Sequence, residues 1–184
     1  MGKTKIQWNS ERILSLTAMG MSFLTLIIFI YQTNLMSKQN YLSILPYVQL
    51  STYDDPKTHS YQLSLKNHGV GPAILESVTI LYKGQEYNLK DYNNERHRLL
   101  IKLDPALDSL EHFAYSTLDR GNAIPANTSY PFISIENSPE DYKLLLQRFG
   151  ALQQNGLRYE IVYRSIQEER WIIHESSVGP EKLD

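Results

Sequence analysis

The side chains with chemical potential are dispersed along this chain. Five histidines (His59, His68, His97, His112 and His174) stand apart, with no H-x-H, H-E-x-x-H or His-acid cluster of the kind that holds a metal. The densest charges fall in Tyr163-Arg164-Ser165-Ile166-Gln167-Glu168-Glu169-Arg170-Trp171, which reads as a hairpin. A glycosidase-like carboxylate pair does not fit there, because neighbours on a strand point to opposite faces. Cross-strand ion pairing does, at about 0.2–1 kcal/mol per exposed pair. Asp54-Asp55 before Pro56 reads as a turn initiator and lacks the ligand run of a calcium loop. No G-x-S-x-G elbow is present, and the absence of cysteine removes thiol nucleophiles, disulfides and Cys-based zinc sites. The expectation is therefore no catalytic residue, no cofactor and no metal. The alternative is an envelope enzyme or small-ligand sensor with a site assembled from separated residues such as His68, His112, Glu168 and Arg170.

The elements that would position these groups begin with a membrane segment. Ile13 to Tyr31 are 19 residues without a charge. As a helix they span roughly 28 Å, close to the hydrocarbon thickness of a bilayer. The run exceeds a signal-peptide core, and no A-x-A-like cleavage site follows it, so an uncleaved anchor is expected. Lys3, Lys5 and Arg12 precede it and only Lys38 lies close behind, which places residues 1–12 in the cytoplasm and the rest outside. Gly2 does not begin a myristoylation motif, because Ile6 stands where Ser or Thr is required. Ser15, Ala18, Ser22 and Thr25 fall on one stripe, a surface that suits close packing with a protein partner or a second copy. Their hydroxyls can instead bond back to the helix's own carbonyls.

Beyond Tyr31 the chain carries 15 basic and 19 acidic residues, against 18 and 20 in the whole of 184. That balance excludes a bulk electrostatic nucleic-acid binder. Residues 32–45 read as a juxtamembrane stalk, 46–178 as a folded domain and 179–184 as a tail. Period-two alternation predicts about eight short strands: Tyr47 to Thr52, Ser60 to Lys66, Ser77 to Tyr82, Gln85 to Leu89, around Phe113 and Tyr115, Tyr130 to Ile135, around Tyr159 to Tyr163, and Trp171 to Ile173. Ser138-Pro139-Glu140-Asp141 starts a helix, with Tyr142, Leu145, Leu146, Phe149 and Leu152 at helical spacing and Asn155-Gly156 as its stop. Asp91 to Leu103 is a weaker helical segment. The expected class is mainly β: an N-terminal transmembrane helix followed by an immunoglobulin-like antiparallel β-sandwich with one or two inserted helices.

Leu63-x-Leu65-x-Asn67-His68-Gly69-Val70-Gly71-Pro72-Ala73 is the most distinctive stretch. It has no third glycine and no following helix, so it is not a phosphate loop. Asn67, Gly69, Gly71 and Pro72 are expected to form a structural turn in which the glycines supply positive φ and the proline a fixed one. Together with Gln39 to Tyr47 (Q-N-Y-L-S-x-L-P-Y) and Tyr163 to Trp171 (Y-x-S-x-x-x-E-x-W), the turn resembles a group of bacterial single-pass membrane proteins with an N-terminal anchor and an N-x-G-x-G-P-A turn in a β-sandwich ectodomain. The resemblance implies this architecture and carries no activity with it.

Asn127-Thr128-Ser129 matches a glycosylation sequon, yet an exported sandwich without cysteine suits a bacterial envelope, where that sequon has no role. The residues from Gly121 to Ser129 then read as a loop. The functional expectation is a membrane-anchored extracytoplasmic binding or accessory module in the bacterial inner (cytoplasmic) membrane. Its expected partners are the lipid bilayer and a protein partner or second copy met through the transmembrane helix, with no nucleic acid.

Overall fold

The computed structural model describes residues 9–93, 95–117, 119–175 and 177–183. Between Leu42 and Ser43 the chain divides into two units. The first is one helix, α1 (Ser10–Leu42), which is long and apolar enough to cross a membrane and has no buried residue. It runs past the uncharged segment because nothing from Gln32 to Leu42 is a glycine or proline. Its end comes just before Pro46, whose ring disfavours helical geometry in the residue ahead of it.

The second unit holds two antiparallel sheets. In the first, β1 (Val48–Asp55), β2 (Ser60–Asn67), β7 (Ser129–Ile135) and β5 (Phe113–Ala114) lie in the order β1-β2-β7-β5. In the second the order is β10-β9-β8-β3-β4, formed by β3 (Ala73–Tyr82), β4 (Gln85–Asn88), β8 (Arg158–Arg164), β9 (Arg170–His174) and β10 (Glu181–Leu183). A two-residue strand, β6 (Ala123–Ile124), pairs with the start of β3.

Alternation sets the inner faces. Tyr61, Leu63, Leu65 and Asn67 of β2, Ile161 and Tyr163 of β8, and Trp171 and Ile173 of β9 follow one another at every second position, all buried except the half-buried Leu63. β3 departs from a simple period, and a bulge explains it. Leu75 pairs with Tyr163 and Ser77 with Val162, which leaves Glu76 as the extra residue. The shift in phase lets Leu75 before the bulge and Val78, Ile80 and Tyr82 after it all face the core. It also hides the first part of the strand from a period-two reading, which finds a strand only from Ser77. β7 is bulged in the same way at Phe132, opposite Leu63 and Ser64 of β2.

The helices follow local rules. Ser138 caps α3 (Pro139–Gln154) by accepting from the Asp141 amide, Pro139 occupies the first turn, and Gly156 follows with φ +89°. Tyr142, Leu145, Phe149 and Leu152 form its buried face, each such apolar side chain contributing about 1.5–3 kcal/mol. α2 (Arg96–Leu103) buries Leu99 and Leu100, between one-turn 3₁₀ helices at Leu89–Tyr92 and Pro105–Ser109. Two strands fall where the sequence suggests a loop and a tail. β6 and β10 are only two and three residues long, too short to carry an alternation, and only their pairing with β3 and β9 defines them.

Candidate functional site

Asn67 ends β2 in the inward phase and is fully buried. Its Oδ1 accepts from the Tyr47 amide at 3.1 Å and the Gly69 amide at 2.9 Å. Its Nδ2 donates to the Gly71 carbonyl at 2.8 Å and the Ile124 carbonyl at 3.0 Å. One side chain thus ties the chain leading into β1, the turn after β2 and β6, with all four bonding positions filled.

Gly69 and Gly71 serve this junction differently from the sequence expectation. Neither has a φ in the left-handed region; among the described glycines that region is used by Gly84, Gly121 and Gly156. Their requirement is close approach. A Cβ on Gly69 would fall on the Leu45 carbonyl oxygen and the Tyr47 amide nitrogen, and one on Gly71 would fall on the Ile44 carbonyl. The amides of Val70 and Gly71 share the Leu45 carbonyl, at 3.1 and 3.2 Å. Pro72 then leads directly into β3.

The charged hairpin is gathered by the β3 bulge. Arg170 Nε donates to Glu76 Oε2 at 2.7 Å, Arg164 Nε lies 3.8 Å from Glu76 Oε1, and Arg164 also pairs with Glu168. Lys182 Nζ reaches Glu169 at 2.5 Å. Arg170 and Glu76 share a pocket with Lys90 and Arg120, so positive charge is in excess there. Such a concavity can hold a small anion such as phosphate or a carboxylate. Sequence reasoning passed over Glu76; the signal was a lone carboxylate interrupting the apolar run Ala73-Ile74-Leu75 before Ser77.

Of the four dispersed residues, Glu168 and Arg170 thus belong to one ion-pair network. His112 has different partners: its amide donates to Asp141 Oδ2 at 2.8 Å, and its Nδ1 lies 3.0 Å from the same oxygen. His68 is exposed, its amide donating to the Tyr47 carbonyl. Ser138, Asp141 and His112 are a serine, a carboxylate and an imidazole in contact, but Asp141 lies between the other two. Ser138 Oγ donates to Asp141 Oδ2 at 3.0 Å, so the contact is serine to carboxylate and lacks the serine-to-base step a nucleophile requires.

Asp141 is a stability element with a defined pH signature. Burial works against its ionisation, but bonds from the His112 amide, the Ser138 hydroxyl, the His112 ring and the Glu111 amide outweigh that and hold its pKa below the ordinary range. A depressed folded pKa means the contribution is present above the unfolded value, about 3.9, and is lost as pH falls through the folded one. Asp141→Asn is expected to cost about 1–3 kcal/mol at neutral pH and to flatten the acid limb of the stability profile, read by urea unfolding from about pH 2 to pH 7.

Tyr163, Tyr142 and His97 are held by contacts within the fold. Tyr163 is fully buried, accepts from the Val48 amide at 3.3 Å and stacks on Trp171 with centroids 5.9 Å apart; burial pushes its phenol pKa well up. Tyr142 donates to Asp54 at 2.7 Å, a bond that, with burial, raises its pKa to about 12. Asp54 therefore holds α3 against β1. His97 packs against the Tyr115 ring at 4.1 Å, its Nδ1 has no hydrogen-bond partner among the described residues, and burial lowers its pKa despite nearby Glu95. Among the described residues no three His, Asp or Glu side chains are grouped so as to hold a metal ion.

On α1, Ser15 donates to the Glu11 carbonyl, Ser22 to that of Ala18, and Thr25 to that of Met21. The hydroxyl protons of the small-residue stripe are thus engaged within the helix, and what the stripe presents outward is small size. No protein-family model matches this chain, and no curated protein proved similar to it.

Proposed function

We propose that the protein is a single-pass protein of the bacterial inner (cytoplasmic) membrane. Its N-terminus lies in the cytoplasm, and its extracytoplasmic immunoglobulin-like sandwich serves as a binding or accessory module through protein–protein contacts in the envelope. The observation that carries this reading is α1: 33 residues, none buried, with a hydrophobic stretch long enough to cross a bilayer, preceding a compact β unit. A stretch of this length and apolar composition matches the hydrocarbon interior of a bilayer. The excess of Lys3, Lys5 and Arg12 over Lys38 supports the orientation.

Strand order supports the immunoglobulin-like part. With β6 and β10 set aside, β1-β2-β7-β5 and β9-β8-β3-β4 follow the sequence A-B-E-D and G-F-C-C′. Protein contact is favoured by β1, which ends its sheet with Ser51–Asp54 exposed and Tyr53 at 56%. Edge N–H and C=O groups flanked by an aromatic side chain suit the addition of a partner's strand. The small-residue stripe suits association of α1 with a second copy or another membrane helix by close packing.

The test has two readouts on the full chain in bacterial cells. Alkaline phosphatase fused after Asp184 is expected to be active; an inactive fusion overturns the orientation. Ser22→Leu with Thr25→Leu is expected to weaken cross-linking between helices, and unchanged cross-linking removes the stripe from the reading.

A further inference from the structure

The core is not sealed everywhere. Val48, Leu65, Ile135, Leu145, Ile161 and Tyr163 have no exposed surface, whereas Val78, Ile80, Tyr61, Leu157 and Phe149 keep 4–8%. These five all line one cleft of about 180 Å³ between the two sheets. Its inner wall is apolar, completed by Leu63, Leu100 and Ile133. Leu50 and Phe132 add to that wall, and the polar lining comes from Thr52, Gln153, Arg158, Tyr159 and Glu175.

The sequence of β1 explains the polarity. The face of β1 that begins with buried Val48 runs on through Leu50 to Thr52 and Asp54, turning from apolar to polar and from buried to exposed toward the hairpin that joins it to β2. Thr52 stands where an apolar side chain would help to close the space. Arg158 and Glu175 pair only loosely, at 3.7 Å, with the Arg158 side chain 64% exposed, so the rim can rearrange at little cost.

We propose that this cleft is a binding site for a small amphiphile: one six-carbon chain or one aromatic ring, carrying an uncharged hydrogen-bonding head that meets the polar rim. Volume sets the size. An apolar protein cavity of about 150 Å³ stays dry and takes up benzene, so the cleft accommodates one such group and excludes a two-chain lipid. Chemistry sets the polarity, because apolar walls reward a hydrocarbon while the Tyr159 hydroxyl and the Gln153 amide at the mouth offer hydrogen bonds to a polar head, the Thr52 hydroxyl being bonded to that of Tyr61. The ion-paired rim, with one charge of each sign, favours an alcohol, phenol or amide over an ion.

The probe is 1-hexanol, titrated into the full chain with carbon-13-labelled Leu, Val and Ile methyls in lipid nanodiscs. The expected result is saturable shifts of the Leu63, Val78, Ile80 and Leu157 methyls, with Leu65 and Leu145 unmoved. Val78→Phe, which fills the cleft, is expected to weaken binding at least tenfold while leaving the melting temperature unchanged or raised. Leu63→Phe provides the same test if Val78→Phe fails to fold. Shifts that rise linearly without saturation, or equal affinity in the filled variant, overturn the proposal. Because this readout depends on neither membrane orientation nor protein partners, its failure is distinguishable from failure of the anchored-module reading.

Discussion

Asn67→Ala is expected to destabilise the β unit by about 3–5 kcal/mol, lowering its melting temperature by roughly 10–15 °C. The substitution strips partners from two amides, Tyr47 and Gly69, and from two carbonyls, Gly71 and Ile124, around a site with no solvent exposure. A buried polar group left unpaired costs about 1–3 kcal/mol, and water entering the space left by the amide would recover only part of the total. The domain's whole stability is of order 5–15 kcal/mol, so the loss would be a large fraction of it. Asn67→Asp separates the two halves of the junction. Its carboxylate can still accept from Tyr47 and Gly69 but cannot donate to Gly71 and Ile124, and it turns a charge toward their carbonyls. It is therefore expected to be at least as damaging as alanine above the carboxylate's pKa and less so when protonated. Thermal and urea unfolding followed by circular dichroism would read both; a melting temperature within a degree or two of wild type for Asn67→Ala would show that the junction is dispensable.

Gly71→Ala is the second large effect, at about 3 kcal/mol or more. The added methyl meets the carbonyl and Cα of Ile44, and backbone cannot rotate aside as a side chain can. Relief requires moving the segment whose Leu45 carbonyl receives the Val70 and Gly71 amides, so the clash also strains those bonds. Gly84→Ala is the informative comparison. Gly84 sits in the β3–β4 turn at φ +75° with open space around the built Cβ, so its cost is conformational only, about 1 kcal/mol. A chevron or urea curve for the two variants side by side should rank Gly71→Ala well below Gly84→Ala in stability. The reverse ranking would mean the Ile44–Gly71 approach is looser than the structure has it.

Both effects lie in the one motif that stood out in the sequence, yet its physical role was only half visible there. That a turn occupies Asn67 to Pro72 follows from the residue types, because Gly and Pro punctuate a chain wherever they occur. That the glycines answer to a neighbouring strand-entry segment, and not to positive φ, could not follow, since Ile44 and Leu45 are distant in sequence. Asn67 did leave a trace: it continues the phase of Tyr61, Leu63 and Leu65, and an amide in the buried phase of a strand is a polar group that must be satisfied inside. Glu76 left a similar trace in the apolar run of β3. α3 was legible at both ends because a capping serine, a first-turn proline and a terminal Asn-Gly act within a few residues of themselves.

What the sequence by itself determined is whatever depends on neighbours along the chain: the uncharged run that becomes α1, the two-residue phase of the strands, and the caps of α3. Only the tertiary structure decided which strands lie side by side, where the bulge at Glu76 shifts the phase of β3, and what Asn67 holds together. Those depend on contacts between residues 20 and 57 positions apart, such as Tyr47 and Ile124 on the Asn67 amide. The cleft belongs to the same class. No residue in it is unusual alone, and the space exists only because two sheets and α3 meet around Thr52 without filling it. Local preferences act through backbone geometry and are written residue by residue, whereas packing is a property of surfaces that the chain brings together only on folding.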